Sequence, residues 1–177
     1  MKQIFMGKQI LIKLIMSSFI LLLCSVNLPA QNYQLHSVFL YSFTRYVQWP
    51  EELNNGDFDI LVLGDSPILP ELKKMADVKK VGDRIIKIYP IKNASEIRKC
   101  NILFIPSDKS GLIADILAKV GSSSTLVVTE QEGLGAKGSS INFISKEGKL
   151  AFEMNQAAMS KQKLKASTEL TRLAIVI

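Results

Sequence analysis

The chain has 177 residues, of which 47% are hydrophobic and 21% charged, with a formal net charge of +6. That length and apolar content suit a single domain with its own core, and they exclude a disordered chain and a disulfide-stapled miniprotein. One His and two Cys in the whole sequence leave too few of those ligands for a metal site of ordinary coordination number.

The N-terminus reads as a secretory leader. Lys2, Lys8 and Lys13 precede an apolar run from Leu14 to Val26, followed by Leu28, Pro29 and Ala30. Basic, apolar and small-residue regions in that order make an export signal, and the run is short of the ~20 apolar residues a membrane span needs. Cleavage after Ala30 leaves a domain over residues 31–177. A retained anchor is the alternative. Lipid attachment at Cys24 is disfavoured by Leu23, which stands where a small residue is expected. Losing the leader removes three of the 22 basic residues and none of the 16 acids, so the net charge falls from +6 to about +3. The remaining lysines are scattered without an aromatic platform, which argues against a nucleic-acid partner. Cys100 becomes the single thiol; it closes no internal disulfide and reads as a small buried hydrophobe.

Leu35 to Pro50 is the most aromatic stretch, with Phe39, Tyr41, Phe43, Tyr46 and Trp49. Leu35, Val38, Phe39, Ser42, Tyr46 and Trp49 recur at the helix period, and Leu40, Phe43 and Val47 add a second stripe. The predicted helix runs until Pro50, which cannot continue it. Arg45 is its one charge. So broad an apolar surface is first of all a core helix. A second reading puts Tyr41, Arg45 and Trp49 on a self-association or partner surface, because Tyr, Trp and Arg are enriched where proteins meet. His36, on the flank of this helix, reads as structural.

A turn at Asn54–Gly56 leads to a strand at Phe58–Leu63, apolar nearly throughout and so covered on both faces. Gly64–Pro67 ends it and opens a helix at Ile68–Ala76. Further predicted elements are a strand at Arg84–Tyr89, a short helix at Ala94–Lys99, a strand at Asn101–Ile105, a helix at Lys109–Val120 ended by Gly121, and a strand at Ser124–Thr129. Strands then appear at Ser140–Ser145 and Lys149–Met154, the second alternating cleanly about a short turn, as in an antiparallel hairpin. Asn155 and Ser167 open two short helices, and Ala174–Ile177 packs on the body. The sum is an α/β fold, three-layer-like, with a mostly parallel sheet, an antiparallel hairpin near the C-terminus and flanking helices.

Gly133, Gly135 and Gly138 satisfy G-x-G-x-x-G, but a strand comes next where the nucleotide-binding version needs a helix. The segment reads as a mobile loop and a fair binding loop. Asp65 and Asp108 come after strands and precede helices, positions that serve as helix caps or as the lining of a ligand crevice. Glu130 comes after the fourth strand and is the acid least explained by capping. Asp65, Asp108, Glu130 and the three glycines therefore form the candidate ligand crevice. No serine is flanked as a nucleophile elbow, and no catalytic residue, cofactor site or metal site is assigned.

Several stretches together resemble one family: Phe43–Pro50, Leu61–Gly64, Cys100–Ile105, Val127–Glu130 leading to Gly133, Ile141–Phe143, Phe152–Asn155 and Leu170–Ala174. The chain resembles the YfiR family of exported α/β proteins. The resemblance implies a periplasmic, non-enzymatic regulator. It would bind the outward domain of an inner-membrane diguanylate cyclase, hold it inactive, and so keep cyclic-di-GMP and biofilm formation low. It also implies self-association as a homodimer. Some members carry paired cysteines, and Cys100 lacks a mate here. A sensor kinase is an alternative partner. The alternative function is a periplasmic small-molecule sensor module feeding a histidine kinase or transporter.

Overall fold

The computed structural model describes residues 33–177, which form one compact unit. The expected leader and the cleavage point after Ala30 lie outside the described residues. Helix α1 (Tyr33–Tyr46) is followed by a short strand β1 (Val47–Gln48) and a 3-10 turn at Glu51–Leu53. Then come β2 (Phe58–Leu63), α2 (Ile68–Val78), β3 (Lys80–Val81), β4 (Arg84–Ile91) and β5 (Ile102–Ile105). A 3-10 turn at Ser107–Leu112 leads into α3 (Ile113–Val120) and β6 (Leu126–Thr129). The chain ends with β7 (Ile141–Lys146), β8 (Lys149–Met154), α4 (Gln156–Lys161), β9 (Lys165–Ala166), α5 (Thr168–Leu173) and β10 (Ile175–Val176).

One eight-stranded sheet runs in the order β10-β8-β7-β6-β5-β2-β4-β3, and β1 pairs with β9 apart from it. Neighbours from β4 to β7 are parallel, as are β10 and β8; β7–β8 and β3–β4 are antiparallel. The apolar run of each central strand serves both faces. Ile60, Val62, Ile102, Phe104, Leu126 and Val128 join Leu40 and Phe43 of α1 and Leu72 of α2 in one core. Leu61, Leu63, Leu103, Ile105 and Val127 meet Ile113, Ile116 and Val120 of α3 in a second core on the opposite face. These are the three layers, and the hairpin lies at the expected side of the sheet. Its turn puts Glu147 at φ 52° and Gly148 at φ 74°, the double left-handed geometry that matches strand twist.

Leu40 and Phe43 of α1 and Val47 of β1 are buried, while Leu35 and Val38 remain 40% and 54% exposed. Phe39 and Phe43 contact Phe143 and Phe152 of the hairpin at ring-centre distances of 5.3 to 6.0 Å. The helix stops at Tyr46, earlier than the period implied. Ser167 N–H takes the Tyr46 carbonyl at 2.8 Å, and β1 pairs with β9. Long-range pairing thus ends the helix before Pro50 does. Three other boundaries shift for local reasons. The predicted helix at Lys109 opens as a 3-10 turn and becomes α-helical only at Ile113, past Gly111, whose backbone entropy disfavours a helix interior. Strand β4 continues through Pro90 to Ile91. The Ile91 carbonyl points inward to Gly64 N–H at 2.7 Å, so Pro90, one residue back, turns its missing donor to the sheet edge. The predicted helix at Ala94–Lys99 is one 3-10 turn, Ala94–Glu96.

Asn155 and Ser167 cap as expected: Asn155 Oδ1 accepts from Ala158 N–H at 2.9 Å and Ser167 Oγ from Leu170 N–H at 3.2 Å. The tail adds β10 to the sheet beside β8, with Val176 and Ile177 still partly exposed. At the amino ends of the central strands, buried Asn101 joins four segments. Its Oδ1 accepts from Asp59 N–H at 3.0 Å and from the Arg84 guanidinium at 3.2 Å. Its Nδ2 donates to the Leu53 carbonyl at 3.3 Å, and its own carbonyl accepts from Trp49 Nε1–H at 3.2 Å. Asn101→Ala strands several of these groups, so a loss of about 2 to 4 kcal/mol is expected. Urea unfolding measures it as a lower midpoint with an unchanged slope.

Candidate functional site

In the parallel part of the sheet, β4 lies on one side of β2 and β5 on the other. The strand order reverses there, and the crevice outside the carboxyl ends of such strands is where open α/β sheets take ligands. Asp65, Asp108 and Glu130 come after β2, β5 and β6, so the topology brings all three to this end of the sheet.

They do different things. Asp65 is exposed and caps nothing; the Ser66 hydroxyl approaches Ile68 N–H at 3.4 Å instead. Asp108 is exposed and pairs with Lys109 at 3.0 Å. The cap reading of both aspartates is therefore corrected, because the Ser66 hydroxyl and the Glu130 carboxylate accept from the opening N–H groups instead. Gly64, at φ 79°, lets the Lys109 stem pass: a Cβ there would lie 2.9 Å from Lys109 Cε.

Glu130 is the buried member, 7% exposed. Its Oε1 accepts from Ser107 N–H at 3.1 Å and from the Tyr33 hydroxyl at 3.2 Å. Its Oε2 lies 3.9 Å from His36 Nε2. Burial pushes the carboxyl above its usual range, with Asp108 adding to the rise, while the two hydrogen bonds pull the other way. Burial, then Glu130, pushes the Tyr33 phenol up to about 12. His36 is buried, edge-on to Phe143 at 4.6 Å and tilted against Tyr33 at 5.3 Å. The arrangement is a joint: one carboxylate fastens the first turn of α1 to the turn after β5. Glu130 accepts from the opening N–H of the turn after β5, reaching it from the end of the neighbouring strand β6.

The glycine segment makes several contacts with the body of the fold. Leu134 is buried in the α3-side core, Ser139 N–H bonds to the Leu134 carbonyl at 3.2 Å, and Asn155 Nδ2 donates to the Gly135 carbonyl at 2.9 Å. These contacts fold the segment into a compact turn. Gly133 is exposed at φ 81°. A Cβ on Gly135 would strike Glu153 and Ile177, and one on Gly138 would sit 3.1 Å from Leu117 of α3. Gly135 and Gly138 thus lie by β8 and α3, whereas Asp65, Asp108 and Glu130 follow β2, β5 and β6.

The expected partner surface also changes. Trp49 is 9% exposed, edge-on to Phe58 at 5.2 Å, with its indole N–H bonded to Asn101. It is a core residue, because the chain leaves the helix at Tyr46 and turns the ring inward. Tyr41 is partly buried; its hydroxyl reaches the Lys80 carbonyl at 3.4 Å and the Lys79 ammonium lies 5.7 Å from its ring. Arg45 is exposed, 5.9 Å from the Tyr46 ring. Buried Cys100 has its thiol pushed up to about 12 by burial. No group of three or more His, Cys, Asp or Glu that could hold a metal occurs among the described residues, and no helix among them is long and apolar enough to cross a membrane.

The sequence missed Asn101, Tyr33 and Ser107. Tyr33 and His36 share one helix face at i, i+3, which was the legible hint of a common partner.

Because the Glu130 pKa is raised on folding, its protonated form is favoured in the folded state. Its contribution to stability is full below the unfolded value of 4.5 and is lost as pH rises through the folded value. Glu130→Gln, which retains the acceptor oxygen, should therefore gain stability relative to the parent as pH rises from about 4.5 toward 8. Urea unfolding across that range checks it; a difference independent of pH contradicts the assignment.

The family described as YfiR/HmsC-like matches residues 33–175. Eight chains of solved structures match. One is a crystal structure of a conserved domain protein from Vibrio cholerae, with a TM-score of 0.58 and 10% identity, covering 82% of this chain and 60% of that one. That likeness concerns the fold, and this chain spans less than two thirds of that neighbour's length. No curated protein matches. With the family matched across nearly every described residue, the chain belongs to the YfiR/HmsC-like family.

Proposed function

We propose that this protein is an exported, non-enzymatic regulator that binds the outward domain of an inner-membrane diguanylate cyclase and holds it in its low-output state. The observation that carries the reading is the family match over residues 33–175, a family whose members are, in kind, regulators of diguanylate cyclases. The basic and apolar order of the first 30 residues supports a periplasmic location.

Regulation by contact needs different affinity for two states of the partner, and only that difference shifts output. The side chains offered for it are on the outer surface of α1. Arg45 is exposed, with Tyr41 and Tyr46 partly exposed nearby. Arg and Tyr are the residue types that carry contact energy when desolvated. The same surface serves self-association of two copies in the absence of the partner.

Affinity capture from native membranes tests this. The folded protein should recover an inner-membrane protein bearing an outward domain and a cytoplasmic cyclase. Arg45→Glu should reduce recovery by roughly tenfold without moving the melting temperature. Recovery of no inner-membrane protein by folded bait contradicts the reading.

A further inference from the structure

One concavity does not have Glu130 in its lining. It is a cleft of about 290 Å³ between α3, the glycine turn and α4. Leu117, Val127 and Ala158 give it apolar walls, and Lys137 and Lys161, both solvent-exposed, are among the residues that line it. No carboxylate lines it. None of the ion pairs among the described residues uses either lysine.

The polar walls are fixed in advance. Gln162 donates to the Gly121 carbonyl at 2.7 Å and accepts from Thr125 N–H at 3.2 Å. Asn155 donates to the Gly135 carbonyl at 2.9 Å and accepts from Ala158 N–H at 2.9 Å. Both amides are committed to the protein, so the wall keeps its shape while the two ammonium groups keep their valence for something else. Preorganisation of this kind reduces the ordering cost of binding. Gly138, at φ 104°, lies close to α3, where a Cβ would sit 3.1 Å from Leu117 Cδ1. The G-x-G-x-x-G segment thus contributes to a site that has nothing to do with a nucleotide phosphate.

We propose that this cleft binds a small amphiphilic anion, an apolar body carrying one carboxylate. The volume of about 290 Å³ falls at the lower limit of the ~300–1,000 Å³ typical of ligand pockets. It therefore admits a fragment-sized molecule and excludes a nucleotide or a folded segment. Apolar walls take the body and the lysines take the charge. Such binding is independent of which partner protein the regulator meets.

Calorimetric titration of the full chain with benzoate tests it, alongside benzyl alcohol and inorganic phosphate as neutral and body-less probes. Benzoate should bind saturably and more tightly than either. The double variant Lys137→Ala, Lys161→Ala should weaken it by roughly tenfold or more, with the melting temperature of the free protein unchanged. Ala157→Phe, an exposed position on the cleft wall, should block binding while leaving both lysines in place. Equal binding of benzyl alcohol or of phosphate overturns the proposal, as does benzoate binding unaffected by both variants.

Discussion

Two rings of α1 packed against two rings of the C-terminal hairpin hold this fold together. Phe43 stacks on Phe143 at 5.9 Å and meets Phe152 edge-on at 5.3 Å, with Phe39 edge-on to both. Such pairs contribute ~0.5–1.5 kcal/mol each beyond the area they bury. They join the first described helix to a hairpin far along the chain, and so fix where both ends of α1 lie. Its start then comes over the carboxyl ends of β5 and β6, where Tyr33 meets Glu130. Past its end, Trp49 reaches the amino ends of the strands and Asn101.

The polar joints at these two ends are unlike in cost. Asn101 is neutral, and the described donors and acceptors around it are paired. Glu130 places a carboxylate in a buried site, where ionisation is penalised unless hydrogen bonds compensate. It is held by one backbone N–H and one phenol. A buried acid in a crevice is often read as chemistry. Here its bonds run to the scaffold and its surroundings are aromatic, which fits a fastening for α1. The side of α1 turned away from the sheet keeps Val38 and Arg45 at the surface, where the proposed partner contact would be made.

Much of the layer arrangement was legible, because Phe58–Leu63 and Ile102–Ile105 are apolar on both alternating faces and leave no solvent side for a strand to present. The end of α1 was not legible. Val47 and Trp49 continue the helical spacing, and the interruption comes from Ser167 and β9, distant in sequence. The same distance hid the role of Glu130, whose donors lie 23 and 97 residues away. It also made Trp49 look like a surface anchor when its indole serves Asn101. The glycine motif could be refused as a nucleotide loop because its next element is the strand β7 and not a helix. That it folds back on Leu134 and Asn155 needed the tertiary structure.

The protein, on this account, acts by contact from outside the inner membrane on a cyclase within it. The most direct test is the cellular level of cyclic-di-GMP in the native host, measured after deletion of the gene and after its return with and without residues 1–30. The account predicts a rise on deletion, reversal by the full chain, and no reversal by the leaderless one. An unchanged level on deletion, or equal reversal by a chain confined to the cytoplasm, would contradict it.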